Sequence, residues 1–281
     1  MATQVLATGS APPFQVTLEG VQHIRRMRGG SQSQMMRGSD GCFHVVKFTS
    51  NPQHVRVLAN EFFASKLGQR LGLPIPEVST IEVCDWLIQH TPELHVESAG
   101  YRRPLNSGVH LASRFAADPL EELIFDWLPE SFLQHVVNIG DFARTLVLDK
   151  WAGNCDGRQA VFIKSGCHDR QYRAKFIDQG YCFNAGQWDF PDLPLYGAYH
   201  QNCVYEAVRG WESFEPALTI AEQMDPSEIW GCAAGIPDEW CDGDVQALSR
   251  LVEELDRRRS KIRDLITGFR SSTRNPFPNW S

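Results

Sequence analysis

The chain has 281 residues, of which 42% are hydrophobic and 22% charged, with a formal net charge of −7. These proportions fit a globular protein with a substantial core and exclude disordered and fibrous classes. The acidic balance argues against a nucleic-acid binder, and no run approaches the roughly 18 apolar residues of a membrane-spanning helix.

Alternation in Phe14–Leu18 predicts a first strand, followed by a loop rich in Gly, Ser and Gln over residues 29–41. Cys42–Phe48 reads as a strand that Asn51-Pro52 ends. Val57, Leu58, Phe62, Leu67 and Leu71 recur at helical spacing, which predicts a helix over Arg56–Leu71. Gly72 caps it, and Pro74 and Pro76 stop it. Val78–Ile88 reads as one or two strands, His90–Pro104 as a loop and His110–Phe115 as a strand. Beyond it, helices dominate. Asn138–Trp151 is expected to be helical, and Ala160–Lys164 with Tyr172–Ile177 to form a hairpin. Asp244–Phe269 has the pattern of one long amphipathic helix, with Asp256-Arg257-Arg258-Arg259 on its solvated side. The expectation is an α+β chain in two lobes, a β-rich lobe over residues 1–117 and a mostly helical lobe over residues 118–281.

Several chemistries are missing. There is no G-x-x-x-x-G-K-[ST], no G-x-S-x-G, no H-E-x-x-H and no C-x-x-C. Met1–Gly20 lacks the basic and apolar regions of a signal peptide, so the eight cysteines read as free thiols in a reducing cytoplasm. Eight tryptophans, Trp188, Trp211, Trp230 and Trp240 among them, read as packing.

What remains is an order of parts. A Gly/Ser loop can bring backbone N–H groups close to phosphates. Lys47 ends an apolar strand, where a cation can hold two phosphates. Glu61 lies on the next helix, where a carboxylate can orient that lysine. Asp156 sits in a polar turn and can orient or deprotonate an acceptor hydroxyl. Asp178 begins an Asp-x-Gly at a strand end, 22 residues later, and can bind a metal carried on phosphate oxygens. Lysine, helical glutamate, turn aspartate and Asp-x-Gly follow each other as in protein-kinase-like phosphotransferases.

The chain resembles the HipA-like kinases. The resemblance rests on Gly30-Ser31-Gln32-Ser33, His44-Val45-Val46-Lys47-Phe48, Leu58-Ala59-Asn60-Glu61-Phe62, Leu71-Gly72-Leu73-Pro74-Ile75-Pro76-Glu77, Asn154-Cys155-Asp156-Gly157-Arg158 and Phe176-Ile177-Asp178-Gln179-Gly180. It implies a two-lobed protein-kinase-like fold that uses ATP and Mg2+ on a protein Ser/Thr hydroxyl. Lys47 would hold the nucleotide phosphates with Glu61 as its partner. Asp156 would be the catalytic aspartate and Asp178 the magnesium ligand. Gly30, Ser31, Gln32 and Ser33 would cover the phosphates, with Ser31 or Ser33 a site of autophosphorylation. Ser113 and Phe115 would belong to the hinge that meets adenine. The resemblance further implies a short form without the N-terminal subdomain of the longer toxins, and a possible regulatory protein partner.

Two departures stand out. The family's second metal ligand, an Asn five residues after the catalytic Asp, is Val161 here, so Gln159 or Asn154 must supply that oxygen. Arg158 replaces the family-typical His. A second register is also open. Asp149 and Asn154 have the Asp-x-x-x-x-Asn spacing of ordinary kinase catalytic loops, which makes Asp149 the alternative base. Asp156 is preferred for its Asn-x-Asp-Gly context and its interval to Asp178. The loss at Val161 also admits a nucleotide-binding pseudokinase, and the fold alone admits a kinase for a small molecule or lipid headgroup. Trp188–Gly197 is a candidate substrate-contact segment, and Arg25-Arg26-x-Arg28 a local basic patch.

Overall fold

The computed structural model describes residues 17–98 and 100–281. Residues 14–16 of the expected first strand lie outside this range. Thr17 and Leu18 precede the first strand, which is β1 (Gly20–Arg26). It runs antiparallel to β2 (Gln34–Gly38), and β2 to β3 (Phe43–Lys47). α1 (Arg56–Arg70) follows. Gly72 (φ 72°) then turns the chain, its N–H donating to the Gln69 carbonyl and that of Leu73 to the Gly68 carbonyl. This left-handed cap is one that a Cβ would strain.

β4 (Val78–Val83) leads into α2 (Asp85–Gln89), so the Val78–Ile88 stretch is one strand and one short helix. The expected loop at 90–104 contains a hairpin, β5 (His95–Ser98) and β6 (Tyr101–Pro104). β7 (Gly108–Arg114) then inserts between β3 and β4, completing a five-stranded sheet in the order β1-β2-β3-β7-β4. One sheet face buries Met36, Val46, Ile81 and Ala112 beneath Leu87, Leu94, Val96 and Leu105 of the 85–107 excursion. The other faces α1 and carries Lys47 opposite Leu111.

After β7 come β8 (Leu123–Phe125), α3 (Glu130–Leu133) and α4 (Asp141–Trp151). The expected hairpin forms as β9 (Gln159–Lys164) and β10 (Arg173–Ile177), with β8 on its outer side. α5 (Ala217–Gln223), α6 (Pro226–Ala233), α7 (Val245–Arg258) and α8 (Ile262–Arg270) complete the helical half. The largest core is continuous across both halves, with Phe63 and Leu67 of α1 in the same cluster as Phe142, Trp151 and Leu255. Among the described residues no helix is long and apolar enough to cross a membrane. All eight cysteines are unpaired.

The C-terminal region departs from the expected single helix. A 3-10 turn at Arg259–Lys261 separates α7 from α8. Nor is the Asp256–Arg259 run wholly solvated. Arg258 is buried, pairs with Asp192 at 2.6 Å and donates to the carbonyls of Trp151 and Lys150. Its guanidinium stacks 3.9 Å from the centroid of Phe190. A planar, five-donor cation is suited to such a junction, where it ties α7 to the end of α4 and to the 190s.

His110 fixes the chain just past Lys47. Its Nδ1 accepts from the Thr49 N–H (3.3 Å), its Nε2 donates to the Asn106 carbonyl (2.9 Å), and its ring lies 4.3 Å from Phe48. Burial lowers its pKa to about 4, against the opposing bond to Asn106. The unfolded chain therefore binds this proton first as pH falls. Stability from His110 is complete above about pH 6.5 and is lost as pH falls through 4, on the order of 3 kcal/mol. Urea unfolding of the wild type and His110→Gln at pH 7 and pH 4 checks this. The wild type should lose more stability on acidification than the variant, and equal losses would contradict it.

Candidate functional site

The sheet and the β9–β10 hairpin bring Lys47, Glu61 and Asp178 together from three elements. Lys47 ends β3, Glu61 lies in the second turn of α1, and Asp178 follows β10. Lys47 Nζ donates to Glu61 Oε2 and, at 2.7 Å, to Asp178 Oδ1. Lys47 and Glu61 are buried, and Asp178 is partly open, its side chain 29% exposed. Burial opposes the charge on Lys47, but Asp178 and then Glu61 outweigh it, so its pKa lies above the ordinary lysine value. Burial and the neighbouring Asp178 raise Glu61 against the pull of Lys47. For Asp178, burial is outweighed by Lys47 and Arg158, which hold it below the ordinary carboxylate value. One fixed ammonium thus serves two carboxylates, and Asp178 stays ionised.

Asp178 adopts a left-handed conformation (φ 60°), and Gly180 follows against α1. A Cβ on Gly180 would lie 2.5 Å from Val57 Cγ1, so only glycine lets the chain pass there. The next residues are unusually left-handed for non-glycines: Phe183 (φ 59°), Asn184 (54°), Ala185 (56°), Trp188 (56°) and Asp192 (53°). Such residues each cost about 1 kcal/mol or more unless the surroundings impose them. The surroundings do. Asn60, next to Glu61 on α1, donates to the Gly180 (2.9 Å) and Ala185 (2.7 Å) carbonyls and accepts from Trp188 Nε1 (2.6 Å). Arg56 donates to the Gly186 carbonyl and stacks on Trp188. Lys150 donates to the Pro194 and Tyr196 carbonyls, both at 2.6 Å. The Trp188–Gly197 segment is therefore pinned from several sides, with Leu193 and Leu195 left exposed.

The two candidate bases sit in different surroundings. Asp149, on α4, is buried with both oxygens engaged. Arg158 binds it through Nε (3.0 Å) and Nη2, and Asn154 donates to it at 2.9 Å. Arg158 also donates to the Ile177 carbonyl (3.1 Å), which steadies the residue before Asp178. Asp156 is exposed, and its Oδ1 accepts from the Gly157 N–H at 2.7 Å. Asn154 spends its other end on the Asp156 N–H (3.2 Å), so neither end of its amide faces the cleft. Gln159 does reach the cleft, with Nε2 3.1 Å from Asp178 Oδ2. Val161 lies two residues along β9, in an apolar cluster with Ala116, Ala117 and Ile163.

The Gly30–Ser33 segment forms the β1–β2 turn. Ser31 and Ser33 are buried. Gln32 donates to the Glu97 carbonyl (2.6 Å) and accepts from the Glu97 N–H (2.8 Å), so its side chain tethers the turn to the β5–β6 hairpin. A Cβ on Gly30 would lie 3.4 Å from Gln53 Nε2, and Gln53 in turn bonds Tyr181. The turn thus closes toward the segment that follows Asp178. Ser113 pairs with Val45 on the sheet face that carries Lys47. Phe115 donates its N–H to the Phe43 carbonyl (2.8 Å). The buried Ala116 and Ala117 follow, and their backbone groups have no partner among the described residues. A cavity of about 620 Å³ opens on this strip, lined by Phe43, Pro76, Ala116, Ala117, Leu120 and Lys175; it does not include Lys47 or Asp178.

For a divalent cation the donor set is oxygen-based but sparse. Asp178 offers a carboxylate and Gln159 a carbamoyl oxygen. Among the described residues no group of three His, Cys, Asp or Glu could cage a metal alone. This fits magnesium, which commonly takes one or two protein carboxylates and completes its shell with water and phosphate oxygens.

A family model described as HipA-like kinase matches residues 21–163. No curated protein matches the chain in sequence. The crystal structure of the Golgi casein kinase with Mn/ADP bound aligns with a TM-score of 0.53 at 15% identity, covering 90% of this chain and 74% of that one. The Helicobacter pylori proinflammatory kinase CtkA aligns with a TM-score of 0.54 at 13% identity, covering 87% and 93%. At such identities the likeness is one of fold.

The geometry makes Asn60 the clasp of the segment after Asp178. Asn60→Ala should raise amide exchange rates over residues 180–188 by roughly tenfold or more, with β3 unchanged, in hydrogen–deuterium exchange. Unaltered exchange over 180–188 would remove this role.

Proposed function

Because the chain belongs to the HipA-like kinase family, we propose that it is an ATP- and magnesium-dependent phosphotransferase acting on a Ser or Thr hydroxyl of a protein. The observation that carries this reading is the sharing of Lys47 between Glu61 and Asp178. An ammonium fixed by two carboxylates is a preorganised partner for nucleotide phosphates. Asp178 and Gln159 are the residues that would hold a magnesium ion on the phosphate oxygens. When bound, that ion neutralises charge on the transferring group.

The remaining roles follow from position. Free backbone groups at Ala116 and Ala117 can meet the edge of adenine, flanked by Ser113 and Phe115. Gly30, Ser31 and Ser33 lie in the turn that covers the phosphates, and Gln32 holds the turn down. Asp156 has the open carboxylate, so it is our base. The acceptor oxygen forms its bond to the γ-phosphorus, the bond to the β–γ bridging oxygen breaks, and the hydroxyl proton passes to Asp156. Asp149 acts through Arg158 as a brace. The unpaired cysteines support a reducing compartment, the cytoplasm.

Val161 favours a second reading, a protein that binds nucleotide without transferring phosphate, since its side chain offers no oxygen to a second metal ion. Incubation with magnesium, γ-labelled ATP and a pool of Ser/Thr peptides separates the two. Wild type should transfer label, and Lys47→Met and Asp178→Asn should abolish transfer. Asp156→Asn should lower kcat by about 10²- to 10⁴-fold with little change in nucleotide affinity. Asp149→Asn should instead lower the melting temperature. Nucleotide binding without transfer by wild type would favour the second reading, and full activity of Asp156→Asn would refute the base.

A further inference from the structure

The region that follows β7 carries an exposed surface that the phosphotransfer reading does not use. Leu120, Leu123, Phe125, Trp127, Phe132 and Val137 are all exposed, Leu120 at 86% and Trp127 at 54%. The Tyr172 ring joins part of the set, with its centroid 5.8 Å from Phe125 and 6.3 Å from Phe132. A concentration of large apolar side chains on the surface marks an interaction site more often than chance exposure does.

Two further features define what fits there. β8 is the edge of its three-stranded sheet, paired with β9 on one side only. Its outer side therefore offers unpaired backbone donors and acceptors. The rim is acidic: Asp118, Glu121, Asp126 and Glu130 have no ion-pair partner among the described residues, whereas Glu122 is held by Arg173. Residues 118–281 hold 26 acidic against 16 basic side chains, while residues 17–117 hold 8 against 11. Around β8 these four unpaired carboxylates stand against two cations without an ion pair among the described residues, Lys164, which lies over the Tyr172 ring at 5.5 Å, and Lys175 beside Leu120.

We propose that the β8 edge and its apolar surroundings form a docking surface for a basic, extended segment of a partner protein, which adds to the sheet as a fourth strand. Backbone pairing supplies register, alternate apolar side chains seat against Phe125, Trp127 and Phe132, and Lys or Arg meets the acidic rim. Like charge opposes the alternatives. A two-fold contact would set this acidic rim against its own copy, and an anionic membrane would repel it. Leu120 lines the same cavity as residues 115–119, so a segment seated on β8 extends toward the hinge.

The test reads binding alone and does not depend on phosphotransfer. A displayed library of random twelve-residue peptides is selected on the full chain and on Leu120→Asp/Trp127→Asp, whose substituted residues are exposed and leave the core intact. Peptides enriched on the wild type should alternate apolar residues with Lys or Arg, and should bind the double variant about tenfold or more weakly. Glu121→Lys/Asp126→Lys should reverse the charge preference. N-methylation of alternate peptide amides should abolish binding in one parity and spare it in the other. Enrichment without basic bias, equal binding to the apolar double variant, equal tolerance of both methylation patterns, or no enrichment would overturn the proposal. So would self-association that Leu120→Asp/Trp127→Asp abolishes, which would make a second copy the occupant.

Discussion

One buried ammonium lies between two carboxylates that arrive from elements far apart in the chain. Glu61 reaches Lys47 from the helix behind the sheet, and Asp178 reaches it from the strand end across the cleft. Each contact restrains a different element, so β3, α1 and the end of β10 are fixed relative to one another by a single nitrogen. Removing charge from water is costly, and a half-satisfied cluster would cost more than an apolar one. The arrangement is explained if phosphate later shares the cation, since a site held ready spends little reorganisation when the ligand binds.

Much of the surrounding structure maintains that geometry. Asn60 stands next to Glu61 and clasps the chain that follows Asp178. One turn of α1 thereby fixes both the lysine and the left-handed segment. Arg158, buried against Asp149, steadies the Ile177 carbonyl immediately before Asp178. Arg258 and Lys150 anchor the far end of the segment at residues 192–196. The strained conformations at residues 183–185 persist because these anchors leave the backbone few alternatives.

Periodicity and order along the chain made part of this legible. α1, β3, β7 and the β9–β10 hairpin have clear apolar patterns, and Lys47, Glu61 and Asp178 were nameable from their sequence of contexts. The β5–β6 hairpin was not, because His95-Val96-Glu97-Ser98 contains one apolar residue and offers no alternation. The tether from Gln32 to Glu97 was hidden with it. Arg258 was concealed in a charge run, where position on the helix, rather than residue type, decides between solvent and Asp192. The Asp149–Arg158 pair spans nine residues that carry no periodic signal. Val161 reads in sequence as a lost metal ligand. In the fold its strand alternation also turns it toward Ala116 and Ala117, where an apolar residue packs.

The central claim is that Glu61 and Asp178 act on nucleotide through the same ammonium. Calorimetric affinity for ATP in the presence of magnesium, measured for wild type, Glu61→Gln, Asp178→Asn and the double variant, tests it most directly. The account predicts non-additive losses, with a coupling of about 0.5–3 kcal/mol between the two positions. Strictly additive losses, or affinity unchanged in both single variants, would contradict it.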